Sequence, residues 1–561
     1  MSRPTSSLAC TCRALQQRVR TPSPARTSLR QLHSSAAAFA SSKSKGKGKQ
    51  VDRWPGWEPV IGLELHVQLK GNVKLLSPAR ALYEAPPNSQ IAPFDAALPG
   101  SLPTLGAEPV RLALLACLAL KSNINPASTF DRKHYFYPDL PAGFQVTQKY
   151  SPLAKGGEVR IRSEAGGSSR AFSVRLDQIQ LEQDTAKSSH DPETGMTLID
   201  LNRAGAALIE IVTEPDMRTP EEAAAFVRAL QAILRHVGTS DANMDRGELR
   251  CDVNVSVQRT APGSPRGTRC EVKNLNGVRF LQGAIESEIA RQIGELEAGR
   301  AVVQATRGYD AVTGQTFFLR GKEDAPDYRY MPDPELGPVV VSEARLSALR
   351  QALPELPDEA FDRLQTQYSL SPRDAGILVA LGERMDDDAA EGGTSHSQAG
   401  AGVRFFEEVA KGREGKVAAN WVLHELLGQL SKANLTLINS PISPSELGRL
   451  IDAVTTGSLT GTSAKSLLRT FLSSPPSTRP SLDSLIASNA TTPSPADGSA
   501  DEALNALCAD VIEALPVEAA KVRAGQEKVL MRMVGEVMKR SKGRADAKKV
   551  GERLKELLKG E

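Results

Sequence analysis

Glu248 to Asn276, ELRCDVNVSVQRTAPGSPRGTRCEVKNLN, alternates in both of its halves. Cys251, Val253, Val255 and Val257 point one way on an extended chain, and Asp252, Asn254 and Ser256 point the other. Pro262 to Gly267 is turn chemistry, so the stretch reads as a hairpin. After the turn, Cys270 and Val272 continue the apolar side, while Glu271 and Lys273 continue the polar one. Such a face can hold a hard cation through carboxylate and amide oxygens, and a phosphate through an ammonium. It can equally be a solvated sheet face, and the hairpin alone leaves both readings open.

Working outward, a second strand is expected at Pro59 to Leu69, PVIGLELHVQL, with Ile61, Leu63, Leu65 and Val67 on one side. Glu64, His66 and Gln68 share the other, so a carboxylate stands beside an imidazole. A third, Ala171 to Gln183, places Glu182 two residues from Asp184. Leu201 to Pro215 reads as a turn followed by a buried strand. Helices are expected from Pro109 to Lys121, from Thr219 to Gly238 with a Thr219/Glu222 capping box, and from Val278 to Gly299. Phe130 to Tyr150 and Tyr309 to Pro334 read as charged aromatic loops of the kind that binds ligands, though Tyr135, Phe136 and Tyr137 can equally be packing residues; Arg320, Lys322, Arg329 and Tyr330 can meet phosphate or ribose or simply pair with their acidic neighbours.

With 561 residues the chain needs about two to four cores. Its 40% hydrophobic and 24% charged residues suit a soluble globular protein. The apolar run Leu112 to Leu120 is far below the ~18 residues of a membrane span. Residues 1 to 50 carry ten basic residues and no acidic one, which reads as a mitochondrial transit peptide over 1–45, cut in the QLHSSAAAF segment. Without those ten, the formal charge falls from +3 to −7, so any nucleic-acid contact rests on local patches. Cys117, Cys251, Cys270 and Cys508 show no paired spacing, which argues against a cysteine-built zinc site.

Beyond Glu343 the pattern is helical. Asp386 to Gly402 is a low-complexity insertion, and Ser473 to Ala500 a Ser/Pro/Thr-rich spacer. Lys521 to Glu561 holds 13 Lys and Arg against 6 Asp and Glu, the footprint of a helical segment that meets RNA phosphates. The GGSS string, Gly166 to Ser169, lacks the second Gly-Gly-Ser of a serine glutaminase, so the chain alone is not expected to hydrolyse glutamine.

The strings IGLELHVQL, FDRKHYFYPDLPAGFQVTQ, LEQDTAK, DLNRAGAALIEIVTEPD, GELRCDVNVSV, EVKNLNGVRF and KEDAPDYRYMPDP stand in this order. Together they resemble the B subunits of the glutamyl-tRNA(Gln) amidotransferase family, closely over Pro59 to Pro338 and more loosely beyond. The resemblance implies an α+β fold: an antiparallel-sheet cradle over 55–345, a helical connector over 346–402, and a helical and YqeY-like tail over 403–559, interrupted at 473–500. It implies ATP and Mg²⁺, with Glu64, His66, Glu182 and Glu271 as metal ligands, Asp252 as a further catalytic residue, and Asn254, Lys187 and Lys273 around the nucleotide. It implies a mitochondrial-matrix complex with an amidase-type glutaminase, the family's A subunit, and with a small third subunit, acting on Glu-tRNA(Gln). Where other members carry a cysteine cluster this chain reads LLSPARALYE, so no zinc is expected. A non-catalytic, tRNA-holding scaffold is the competing reading.

Overall fold

The computed structural model describes residues 53–559, except 83–84, 163–169, 322–326, 382–399, 476–478, 490–498, 524–525 and 542–546. The expected leader, the GGSS string, Lys322 and most of the low-complexity insertion lie outside the described residues. All the elements below belong to one unit, Gly56–Glu561.

The quoted stretch is a hairpin at the middle of a ten-stranded, largely antiparallel sheet. Its strands are β1 (Trp57–Gln68), β4 (Phe172–Gln183), β5 (Ala207–Thr213), β6 (Leu249–Arg259), β7 (Cys270–Leu275), β8 (Ala305–Asp310) and β9 (Gln315–Gly321). They run in the order β9-β8-β7-β6-β1-β5-β4, extended at the β4 end by Ala154–Lys155 and Asn123–Ile124, with Glu158–Ile161 also on β4. Among the described residues, only β7 and β8 pair parallel. The alternation does what it promised: Ile61, Leu63, Leu65, Val67, Cys251, Val253, Val255 and Val257 are all buried. A bulge in β7 sets two residues, Lys273 and Asn274, against Asp252 alone. Asn274 takes the left-handed conformation (φ 63°), which returns Leu275 to the core and leaves Lys273 on the polar side.

Helices α1 (Ala107–Ala119), α2 (Pro220–His236) and α3 (Val278–Glu297) fall close to their expected places. Thr219 caps α2 by accepting the Glu222 N–H. The Glu222 carboxylate reaches past the cap, accepting from the Arg218 N–H at 2.7 Å. α3 packs on the apolar side of β6 and β7, leaving the opposite face for chemistry.

Both stretches read as aromatic loops prove to contain strands. β2 (Asp131–His134), β3 (Phe144–Thr147) and β10 (Met331–Pro332) form a small sheet in the order β10-β2-β3. The second stretch begins in the β8–β9 hairpin, which runs to Gly321. Strands this short show little alternation, and the prolines Pro138 and Pro141, which occupy the turn between β2 and β3, dominate the pattern. The small sheet lies against β4: Gln148 Oε1 accepts the Leu181 N–H at 2.9 Å, and the Gln145 amide donates to the Gln183 carbonyl at 2.7 Å.

From Glu343 onward every described element is a helix, apart from turns. One buried cluster runs from Ala360 to Leu482 and a separate one from Cys508 to Leu558. The expected spacer contains the helix Leu482–Asn489, whose Leu482 is fully buried in the first cluster. Among the described residues no helix is long and apolar enough to cross a membrane.

Candidate catalytic site

The polar face of the sheet gathers its charges across five strands. His66 pairs with Glu210 of β5 on one side and Arg250 of β6 on the other, while Glu64 stands directly opposite Asp252. Glu210 in turn faces Gln180 of β4. Cross-strand and diagonal neighbours on one face lie within reach of long side chains. His66 Nε2 is accordingly 3.4 Å from Glu182, 3.7 Å from Glu210 and 4.0 Å from Glu64.

Glu182 is the most deeply placed of these groups, at 1% exposure, and neither of its carboxylate oxygens has a hydrogen-bond donor within good geometry. A buried carboxylate in that state is costly unless a charge faces it. His66 supplies one. Burial alone would lower the imidazole, but Glu182, then Glu210 and Glu64, outweigh it and raise His66 to about 9. Burial would raise Glu182, yet His66 and the Lys133 ammonium of β2 hold it below the usual carboxylate range. Burial and the Glu182 charge push Glu210 up to about 7, against the pull of His66. Gln180 steadies Glu210 by donating to it at 2.7 Å, while the same amide also reaches the Thr147 hydroxyl at 3.1 Å.

Next to this cluster lies a second group. Lys273 Nζ is 2.6 Å from Asp252 and 3.2 Å from Glu271. Glu271 also accepts from the Thr306 hydroxyl at 3.2 Å, and Asn254 is its cross-strand partner. Burial would lower Lys273, but Asp252, Glu271 and Glu64 together raise it well above its ordinary value.

The expected residues thus divide. Glu64, His66 and Glu182 come together, with Asp252, Asn254, Glu271 and Lys273 beside them on the same face. Glu271 stands one strand beyond Asp252 and is held by Lys273, so the structure does not place it among the groups around His66. Glu210, which the sequence reading passed over, takes that place. Its signal was present: an acid in the middle of the apolar strand ALIEIVT needs a buried partner. Lys187 is also displaced. It is exposed on a two-stranded ribbon, Lys187–His190 with Thr197–Asp200, across from Asp200, and among the described residues it makes no ion pair with the cluster. The chain turns off the sheet at Asp184, where the Asp184 N–H bonds the Ala206 carbonyl, and spacing along the sequence could not show this. Cys251 and Cys270 are buried core residues whose thiols burial pushes up, unlike nucleophiles.

The donor set fits a divalent cation. One atom each from Glu64, His66 and Glu210 lies within 4.8 Å of the others, and the unpartnered Glu182 oxygens face the same imidazole. Three carboxylates and one imidazole, with a lysine–carboxylate group next to them, suit cation-assisted chemistry on a phosphate.

Comparison with known proteins decides the lineage. The GatB/GatE catalytic-domain model matches residues 59–347, and the GatB domain model matches 404–558. The chain is 48% identical to the B subunit of the mitochondrial glutamyl-tRNA(Gln) amidotransferase of Laccaria bicolor, over 91% of this chain and 94% of that protein. The chain belongs to the amidotransferase B-subunit family. The protein of the same name from Mycosarcoma maydis is 44% identical over 94% of this chain and 90% of its own length. The B subunit of the aspartyl/glutamyl-tRNA(Asn/Gln) amidotransferase of Mesorhizobium japonicum is 42% identical over 90% of this chain and 95% of its own. The catalytic-domain match covers every residue of the site, from Glu64 to Lys273.

Proposed function

We propose that this chain is the B subunit of a mitochondrial amidotransferase that converts Glu-tRNA(Gln) to Gln-tRNA(Gln), using ATP and ammonia released from glutamine by an amidase-type partner, with a small third subunit completing the complex. The observation that carries the reading is the buried Glu182 carboxylate, satisfied by no hydrogen bond and facing His66, with Glu64 and Glu210 on the same sheet face. The cradle form of the sheet domain and the RNA-binding role of the tail belong to the same proposal.

The chemistry sets the requirement. A glutamyl γ-carboxylate resists ammonia because the anion is a poor electrophile and oxide a poor leaving group. Transfer of the γ-phosphoryl group of ATP to a carboxylate oxygen breaks the bond to ADP and leaves an acyl phosphate. Ammonia then attacks the acyl carbon, phosphate departs, and the amide remains. Mg²⁺ held by Glu64, His66, Glu182 and Glu210 would neutralise phosphate oxygens during the first step. Asp252 and Glu271 hold Lys273 beside that position, where its ammonium supplies further positive charge for phosphate. Gln180 fixes Glu210 in place, and Asn254 offers an amide beside Glu271.

The test is ATP cleavage by the chain co-purified with its amidase partner, in the presence of Glu-tRNA(Gln), with and without Mg²⁺, for wild type and Glu64→Ala. Mg²⁺-dependent cleavage that requires the charged tRNA and disappears in the variant is expected. Equal turnover by the two proteins would move the phosphoryl step elsewhere and leave this chain as a tRNA-holding scaffold.

A further inference from the structure

Four tyrosines stand edge to face beside the acidic cluster. The Tyr137, Tyr135, Tyr328 and Tyr330 rings follow one another with centroids 5.7, 5.9 and 6.0 Å apart. They come from two separate stretches of chain, joined where the His134 N–H bonds the Tyr328 carbonyl at 2.8 Å and where β10 pairs with β2. Lysines sit on the same rings: Lys133 Nζ is 4.8 Å from the Tyr328 centroid, and Lys149 Nζ is 5.6 Å from that of Tyr330. The row is tied to the catalytic strand, because the Tyr135 hydroxyl donates to Gln145 at 3.0 Å and Gln145 donates to the carbonyl of Gln183, the neighbour of Glu182.

Its outer end is open. Tyr137 is 58% exposed and its neighbour Phe136 is 88% exposed. Two large aromatic side chains left in water at the tip of a paired, hydrogen-bonded hairpin contribute nothing to the core below. Aromatic faces interleaved with ammonium groups fit single-stranded nucleic acid, whose bases stack and whose phosphates pair with lysine. Apolar protein segments offer no charge to complement Lys149, whereas Lys133 already faces Glu182.

Resting on the proposed amidotransferase reading, we infer that this tyrosine row, with Phe136 at its tip, is the stacking platform for the unpaired 3′ nucleotides of the tRNA. Bases stacked along the row would lead the terminal ribose, which bears the glutamyl group, down toward Glu182. Lys133, next to that carboxylate, stands where the row meets the cluster. The aromatics therefore act in positioning, and the reacting atoms belong to the strands beneath.

The test uses the full-length chain co-purified with its partner subunits. Its probes are a fluorescein-labelled acceptor-stem minihelix with a single-stranded CCA tail, the same minihelix without the tail, and ATP. Tyr137→Ala should weaken binding of the tailed minihelix by about tenfold, the scale of one lost base stack, and leave the blunt minihelix unchanged. Tyr137→Phe should bind the tailed probe like wild type, and Phe136→Ala should reproduce the loss. Wild-type affinity for the tailed probe in both alanine variants would overturn the inference. An equal loss on the blunt probe would also overturn it, as would a raised KM for ATP with tail binding unchanged, which would assign the platform to the nucleotide. Loss of co-purifying partner subunits in Tyr137→Ala would mark a protein interface instead. Tail binding is read without turnover, so failure of the ATP-cleavage experiment and failure of the platform are separate results.

Discussion

At the scale of single residues, the site turns on which carboxylates share the imidazole. Glu210 is buried against His66 and Gln180, so Glu210→Gln keeps the shape and the amide contact while removing the charge. It should raise the Mg²⁺ concentration for half-maximal ATP cleavage by at least about tenfold. Glu271→Gln should slow ATP cleavage and amidation while leaving that Mg²⁺ requirement where it was, since Glu271 is held by Lys273 and Thr306 away from the imidazole. A Mg²⁺ titration of both variants separates the two carboxylates; matching shifts would put Glu271 back among the ligands. Alternation placed Glu64 and His66 on the polar side of β1, while Glu182, at the fully buried end of β4, was singled out by the family resemblance and by its spacing from Asp184. It failed for Glu210, whose strand is buried on nearly every residue once the small β2–β3 sheet lies against β4. It misplaced Lys187, because a turn at one aspartate redirects everything after it.

At the scale of elements, the hairpin that opens the sequence depends on a close approach no residue pattern reveals. A Cβ on Gly267 would fall 1.9 Å from the Val257 carbonyl oxygen, so the loop backbone must pass flat against β6. Gly267→Ala should destabilise the protein by about 1–3 kcal/mol, the usual cost of forcing atoms into filled space. Gly294, on the exposed side of α3 with nothing within 4 Å of an added Cβ, makes the contrast. Gly294→Ala should stabilise by roughly 0.5–1 kcal/mol through backbone entropy. Thermal unfolding of the two variants reads both signs, and a loss from each would mean that the Gly267 contact is not special. Long strands and capped helices were legible here because their periodicity is sustained. Four-residue strands such as β2 and β3 were hidden, since they are too short to alternate and the outer partner of β2, β10, lies almost 200 residues away.

At the scale of the whole molecule, the sheet domain and the helices beyond it meet at a titrating group, and the chain ends in a core of its own. His236, at the end of α2, bonds the Glu355 carbonyl through Nε2 at 2.7 Å. Burial, aided by Arg404, lowers its pKa below the ordinary 6.5. Above about pH 6.5 the ring is neutral folded or unfolded, and its contribution to stability is complete. As the pH falls through that value the unfolded chain takes the proton first, so stability is lost. His236→Gln should flatten the fall in urea midpoint between pH 7.5 and 5.5, and identical slopes would clear the joint of a pH role. The terminal helices pose the larger question. Cys508, Val511, Met533, Val537, Val550 and Leu554 close a separate buried cluster, while Lys521 to Glu561 carries 13 basic and 6 acidic residues. Because that core shares no member with the one before it, a chain ending at residue 498 should keep the sheet and the first helical cluster folded. If the basic surface meets tRNA phosphates, its removal frees the counterions those contacts displaced, and the salt dependence of binding must become shallower. Fluorescence anisotropy of labelled tRNA across a range of salt concentrations should give the shortened chain a weaker affinity and a smaller slope, with the tailed minihelix bound as before. An unchanged slope would show that the tail's charge is only a solvated helix face and that recognition rests on the sheet domain alone.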